Sequence, residues 1–406
     1  MLRILIILAI LSFSIDADAQ KKELSEAKTY LKKNTSLDKA ENLVRKAILM
    51  PGLKDKNEAY TLLSDIMRRQ YETCNEKLYL KQLSDTASLF PALRKMYAAY
   101  EQLDSVESIP DSKGNIRTKS RKKNAEFLNR FRPNLFSGAL YSLNKKNYQE
   151  AFDCIETYLG CHSLPMFSSL DLTKSDTLRY RAAYLGVLAA YNMKNHAGVR
   201  KYQHDALNYE PQRHNIIALL YENYMQQKDT VTAVAYLREG FRRHSEYPFF
   251  FPRLVDHYSS RNKLDTVKAI VDKAIEIEPG NMFYRLAKNV VQLNMGEYDD
   301  CVALGDSLIH NNDKLAEAYY NVGTAYFNKA VKREKTGNES RQKRKEINSL
   351  YEKSMPYLER YRILRQKELE RWAPMLYTIY LNLNKGKEFD EIDSLIKKHS
   401  NNRKKD

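Results

Sequence analysis

Segments of one design begin at His214, Pro248, Met282 and Ala316, three successive steps of 34 residues. A repeat of that length is one supersecondary unit, and it can bury its apolar surface only against the next unit. In the first segment Ile217, Leu220, Tyr221 and Tyr224 form one apolar helix face. Ala233, Leu237 and Gly240 form a second, with a small residue where two helices must touch. The second segment repeats the plan with Phe251, Leu254, Val255 and Tyr258, then Val267, Val271 and Ala274. Pro279 follows, where a residue unable to continue a helix belongs. The fourth carries Tyr319, Val322, Gly323 and Tyr326. Gly and Pro number only 13 and 11 of 406 residues, which disfavours turn-rich β folds. The predicted class is all-α.

The order of an aromatic, a Leu-Gly-like pair and a Tyr on one helix, then small and aromatic residues and a Pro on and after the next, resembles the tetratricopeptide (TPR) family. The likeness lies in period and residue class, not identity. Tyr184, Val187, Leu188, Tyr191, Ala206 and Pro211 make a looser unit, as do Leu135, Gly138, Ala139, Ala151, Ile155 and Tyr158. Ala40, Val44 and Ala47 with Tyr60, Leu63, Ser64 and Met67 extend the helical pairs towards the N-terminus. Ser354, Leu358, Trp372, Leu376 and Tyr380 extend them towards the C-terminus. The helix from Phe283 departs from the pattern: it lacks the Gly and is apolar nearly all round, at Phe283, Tyr284, Leu286, Ala287, Val290 and Val291.

The resemblance implies an α-solenoid, a right-handed superhelix of antiparallel helix pairs with a concave groove. It places Asn215, Glu222, Gln226, Asp256, Tyr320, Thr324 and Asn328 on the groove side of the first helix of their repeats. These amides, hydroxyls and carboxylates suit a peptide backbone. The expected partner is an extended segment or helix of another protein.

Charge is uneven along the chain. The formal total is +16, yet residues 134–330 hold 22 basic and 22 acidic residues. The excess sits in three stretches: 113–132 with eight basic residues and one acid, 331–345 with seven and two, and 397–406 with five and one. The expected division is therefore helical pairs over 20–110, a basic linker over 111–132 and a core array over 133–330. A basic insertion over 331–347, a last repeat over 348–396 and a basic tail over 397–406 complete it. Lys119, Arg121, Lys122 and Lys123 are the densest basic patch. Segments 113–132 and 331–345 give an alternative function, capture of a polyanion or an anionic membrane surface by counterion release. Without aromatics interleaved in the block from Lys119 to Lys123, nucleic acid is the weakest candidate.

At the N-terminus, Arg3, an apolar run from Ile4 to Leu11 and the small-residue end Ala17-Asp18-Ala19 have the layout of a secretory signal over 1–19, with cleavage expected before Gln20. The apolar run is too short to span a bilayer. Export to the periplasm or medium of a bacterium is the expectation. Cys74, Cys154, Cys161 and Cys301 show no CxxC spacing, so free buried thiols are expected rather than zinc or redox chemistry.

No HExxH, Walker A, GxSxG or GxGxxG pattern occurs, so neither catalysis nor a cofactor or metal is expected. Cys161-His162 is the one pair with a nucleophilic look, and sequence neighbours seldom aim at one substrate. Phe249, Phe250 and Phe251, between two prolines, read first as inter-repeat packing and second as a partner-anchoring patch. Triplets of Asp, Ser or Thr and an aliphatic or small residue begin at Asp85, Asp104, Asp176, Asp229, Asp265, Asp306 and Asp393. They resemble an O-glycosylation motif of exported proteins in some Gram-negative bacteria, although helix starts also produce them.

Overall fold

The computed structural model describes residues 19–51, 53, 55–80, 86–111, 113–116 and 118–403. The stretch read as an export signal, Ala19 apart, lies outside the described residues, as do Asp85 and the last three residues of the basic tail. Helices run throughout, and the described residues contain no strand. No helix is long and apolar enough to cross a membrane, among the described residues. The chain divides into two compact units, one up to Tyr236 and one from Leu237.

The first unit contains α1 (19–33), α2 (Leu37–Leu49), α3 (Lys56–Tyr79), α4 (Thr86–Glu107), α5 (Arg121–Asn129), α6 (Arg132–Asn144), α7 (Tyr148–Gly160), the short α8 (Leu172–Ser175), α9 (Arg179–Asn192), α10 (His196–Ala206) and α11 (Arg213–Gln226). α12 (Thr230–Arg243) starts in this unit. The second contains α13 (Phe250–Ser259), α14 (Leu264–Ile277), α15 (Met282–Met295), α16 (Tyr298–Asn311), α17 (Ala316–Glu334), α18 (Arg341–Leu364), α19 (Leu369–Asn382) and α20 (Gly386–Arg403). From α13 to α20 every helix packs on its neighbour in the chain, and α15, α17 and α19 also pack in series. That is an array of stacked helix pairs, in which stability comes from neighbouring repeats.

A backbone signature sets the period. Lys194, Lys228, Asn262 and Gly296 all have left-handed φ (57°, 61°, 53° and 76°) and stand 34 residues apart. Each ends the first helix of a pair, and the next residue's N–H closes back on a carbonyl five residues earlier. Asn195 N donates to Ala190 O at 2.9 Å, Asp229 N to Tyr224 O at 3.0 Å, Lys263 N to Tyr258 O at 3.0 Å and Glu297 N to Gln292 O at 2.9 Å. This closure satisfies carbonyls that the helix end would leave open. At Asn195 and Asp229 the side chain then caps the following helix, accepting from Gly198 N and Thr232 N. The strict register thus begins one repeat earlier than the residue pattern indicates.

Lys146 has the same conformation, but stands 48 residues before Lys194. The extra residues form the 3-10 turn Pro165–Leu170 and α8, which bury Met166, Phe167 and Leu172 in the core of the first unit. α5 rests on this turn. The stretch 111–132, expected as a linker, therefore holds a packed helix whose Ala125, Phe127 and Leu128 are buried. At the start of the described chain, Gln20 is also buried, and its Nε2 donates to Met50 O at 3.2 Å and Pro51 O at 3.0 Å.

In the second unit, small residues mark the closest helix approaches. A Cβ on Gly240 would come within 2.2 Å of the Phe250 ring, and one on Gly323 within 2.7 Å of Leu358. α15, which lacks such a glycine, has Asn289 instead, fully buried. Its Nδ2 donates to Cys301 O at 2.6 Å, and its Oδ1 accepts from Asn321 Nδ2 at 2.9 Å, so one amide ties α15 to α16 and α17. A buried polar group of this kind is stabilising only when its bonds are made.

Candidate interaction surface

Groove positions fall in both units. In the first, Glu222 accepts from the Tyr191 hydroxyl at 2.5 Å, and Gln226, exposed, reaches the same oxygen at 3.5 Å. Burial and then the Glu222 hydrogen bond push the Tyr191 phenol up to about 12. Asn215 is half-buried and donates to Gln212 Oε1 at 2.6 Å. In the second, Asp256 is exposed and Asn328 half-buried. Tyr320 and Thr324, both half-buried, also meet residues of later helices. The Arg371 guanidinium lies 4.1 Å from the centre of the Tyr320 ring, Tyr361 packs on that ring, and Thr324 Oγ1 contacts Met375 Sδ at 3.7 Å. These two residues therefore also link neighbouring helices.

The aromatic run divides in a similar way. Phe250 and Phe251 are 0% and 2% exposed, so they pack the repeats and present nothing to a partner. Phe249 is half-buried beneath Arg253, whose guanidinium lies 3.6 Å from its ring centre.

The residues of α15 at the corresponding register differ from the rest. Phe283 is 56% exposed and Val290 38%, seven residues apart on one helix face, with Leu286 and Ala287 half-buried between them. Phe283 packs edge-on against Phe251, 5.7 Å between centres. The signal was already present in the apolar spacing of this helix, whose inward face is filled by Tyr284, Asn289 and Val291.

Among the described cations of segment 113–132, the arginines are engaged while Lys113, Lys119, Lys122 and Lys123 stay exposed. Arg121 Nε and Nη2 donate to the two Asp104 oxygens at 2.7 and 3.0 Å, and Nη2 also to Ser108 Oγ at 2.7 Å. Arg130 and Arg68 both lie against Phe127. Arg132, nearly buried, binds the Asp176 carboxylate, which also accepts from His162 Nε2 at 2.8 Å, Tyr158 Oη at 2.6 Å and Leu178 N at 3.0 Å. Burial would raise the Asp176 pKa, but the His162 and Tyr158 bonds, the Arg132 charge and the Leu178 N–H outweigh it and hold it below the usual carboxylate range. Lys119 and Lys122 remain exposed, and exposed Lys123 lines a cleft of about 650 Å³ that also contains Asp65, Glu107 and Glu126. Arg121 therefore does not belong to the free basic patch.

Segment 331–345 extends helices rather than looping out. α17 and α18 run 19 and 24 residues, against 14 in both α15 and α16. The ammonium of Lys343 turns inward across the connection, donating to Glu334 O at 2.8 Å, Gly337 O at 3.4 Å and Glu339 Oε1 at 3.0 Å.

All four cysteines are free. Burial pushes the Cys161 thiol up to about 12, and its Sγ lies 3.2 Å from Thr157 O while His162 is committed to Asp176. The pair forms no nucleophilic arrangement. Of the Asp triplets, Asp229 caps α12, and Asp104 and Asp176 accept internal arginines.

No family model matches the chain, and no curated protein matches it. Solved structures similar to it include a monomeric mutant of IFIT1, at TM-score 0.36 and 11% identity, covering 87% of this chain and 71% of that one. The yeast Tom70 gives TM-score 0.27 at 12% identity over 95% and 96% of the two chains. The TPR domain of P58(IPK) gives 0.25 at 12% identity over 87% and 99%. The helical-repeat assignment rests on this chain's own turns and stacked pairs.

Proposed function

We propose that this protein is a non-catalytic interaction scaffold, exported to the bacterial cell envelope, that holds a helix or extended segment of a partner protein on the groove side of its second unit. One observation supports the reading above the others: α15 leaves Phe283 and Val290 exposed on one face, with Val290 at the register where α13 carries Asp256 and α17 carries Thr324. Exposed aromatic and aliphatic side chains flanked by polar ones are the usual anchors of a protein interface. A partner helix with apolar residues at helical spacing suits such a stripe. The export reading rests on the N-terminal sequence layout.

The test is crosslinked capture from the native host at low and high salt, with the wild type and with Val290→Asp. Salt-resistant capture of one protein, lost in Val290→Asp with an unchanged melting temperature, is the expected result. Equal capture by the variant removes the α15 face from the interaction.

A further inference from the structure

The lengthened hairpin of α17 and α18 lines, with the first turn of α16, an open cleft of about 750 Å³. Tyr298 and Leu350 give it an apolar lining, and Lys329, Lys332, Arg333 and Lys345 line it with positive charge. Two of these cations are already matched, Lys329 by Asp299 and Arg333 by Glu346 at 2.8 Å. Lys332 and Lys345, one from each long helix, have no carboxylate partner among the described residues. The acids lining the cleft, Asp299 and Glu346, are used by the first pair of cations, so the unmatched charge is that of the two lysines. Were α17 and α18 only as long as their neighbours, the chain would end short of these positions and the cleft would lose both lysines.

We propose that this cleft is a binding site for a small amphiphilic anion, an apolar body bearing a carboxylate or phosphate. The volume is that of a site for a small organic molecule. The apolar lining accepts the body, and the two ammonium groups accept the charge, since lysine stems cover apolar surface and leave the head group free. An uncharged amphiphile meets only the apolar lining, and a bare inorganic anion meets only the ammonium groups. This site is separate from the α15 surface, and its test is independent of any protein partner.

The experiment is isothermal titration of the full chain with decanoate, decyl phosphate, octyl glucoside and inorganic phosphate. Expected is saturable binding of decanoate, decyl phosphate or both, at least tenfold tighter than octyl glucoside and than inorganic phosphate; which of the two binds better identifies the head group. Lys332→Gln with Lys345→Gln should weaken that binding at least tenfold and flatten its salt dependence. Ser349→Trp, a bulky side chain introduced on the lining, should abolish it, with the melting temperature of both variants within error of wild type. Absence of saturable binding, inorganic phosphate or octyl glucoside binding as tightly, or undiminished binding by the double lysine variant would each overturn the proposal. Should Ser349→Trp lower the melting temperature, the double lysine variant alone decides.

Discussion

Two basic stretches, 113–132 with an excess of seven positive charges and 331–345 with five, place their arginines and lysines differently in the folded chain. In the first, arginines meet acids supplied by other elements: Arg121 meets Asp104 on α4, and Arg132 meets Asp176 beyond α8. In the second, lysines predominate at the cleft, and Lys332 and Lys345 are exposed with no carboxylate partner among the described residues. The difference follows from side-chain chemistry as well as position. A planar guanidinium bonds a carboxylate through two parallel donors and tolerates burial, whereas an ammonium stays hydrated unless it is fully enclosed. Charge density in a sequence is therefore a poor guide to a binding face until the partners of each cation are known.

The largest expected effect breaks the first half of that contrast. Arg132→Gln leaves Asp176 buried without its guanidinium and should cost about 3–5 kcal/mol, the usual penalty for an orphaned buried charge. Thermal or urea unfolding measures it, and a loss under 1 kcal/mol would show that the arginine is not internal. The same site predicts a pH dependence. Because the folded-state pKa of Asp176 is depressed, its contribution is fully present above the unfolded value of about 3.9 and is lost as pH falls through the folded value. Asp176→Asn should be less stable than wild type at pH 7, with the gap narrowing in acid.

Arg121→Gln comes next, with about 1.5–3 kcal/mol for the lost charged hydrogen bonds to a nearly buried Asp104. Lys343→Met sharpens the second half of the contrast, because it alters the one cation of segment 331–345 that is buried. A loss of about 1–3 kcal/mol is expected as the carbonyls of Glu334 and Gly337 lose their donor. The smallest effect belongs to Lys332→Gln with Lys345→Gln, within about 0.5 kcal/mol of wild type in urea unfolding. A larger loss would mean that these lysines, like the arginines of the first stretch, have internal work.

The repeat body was legible in the sequence because its signal is periodic: Val267, Val271 and Ala274, spaced for a helix face, are all buried. The turns were not. Left-handed backbone usually announces itself as glycine, but lysine occupies positions 194 and 228 and asparagine 262, and only 296 is glycine. Chain closure by the flanking helices holds these residues in a conformation their side chains do not favour. Pairings across helices were equally hidden, since Arg132, at the start of α6, and Asp176 are separated by α6, α7, the inserted turn and α8. For the surface, α15 gave a readable clue in its all-round apolar pattern, yet the pattern alone could not say which face Asn289 would hold inward. Nothing local in the sequence shows Arg371 arriving over the Tyr320 ring.

The burial of Gln20 has a consequence for the chemistry of the chain's own end. An N-terminal glutamine ordinarily cyclises: its α-amino nitrogen attacks the side-chain carboxamide carbon and ammonia leaves. With cleavage at the proposed position, Gln20 becomes that terminal residue, but its carboxamide nitrogen is donating to Met50 O and Pro51 O. Ring closure would have to break both bonds and release the start of α1 from the turn between α2 and α3. The folded protein should therefore keep an open glutamine and a charged α-amine, and cyclise only when unfolded. Intact-mass measurement before and after incubation in denaturant would register the loss of ammonia.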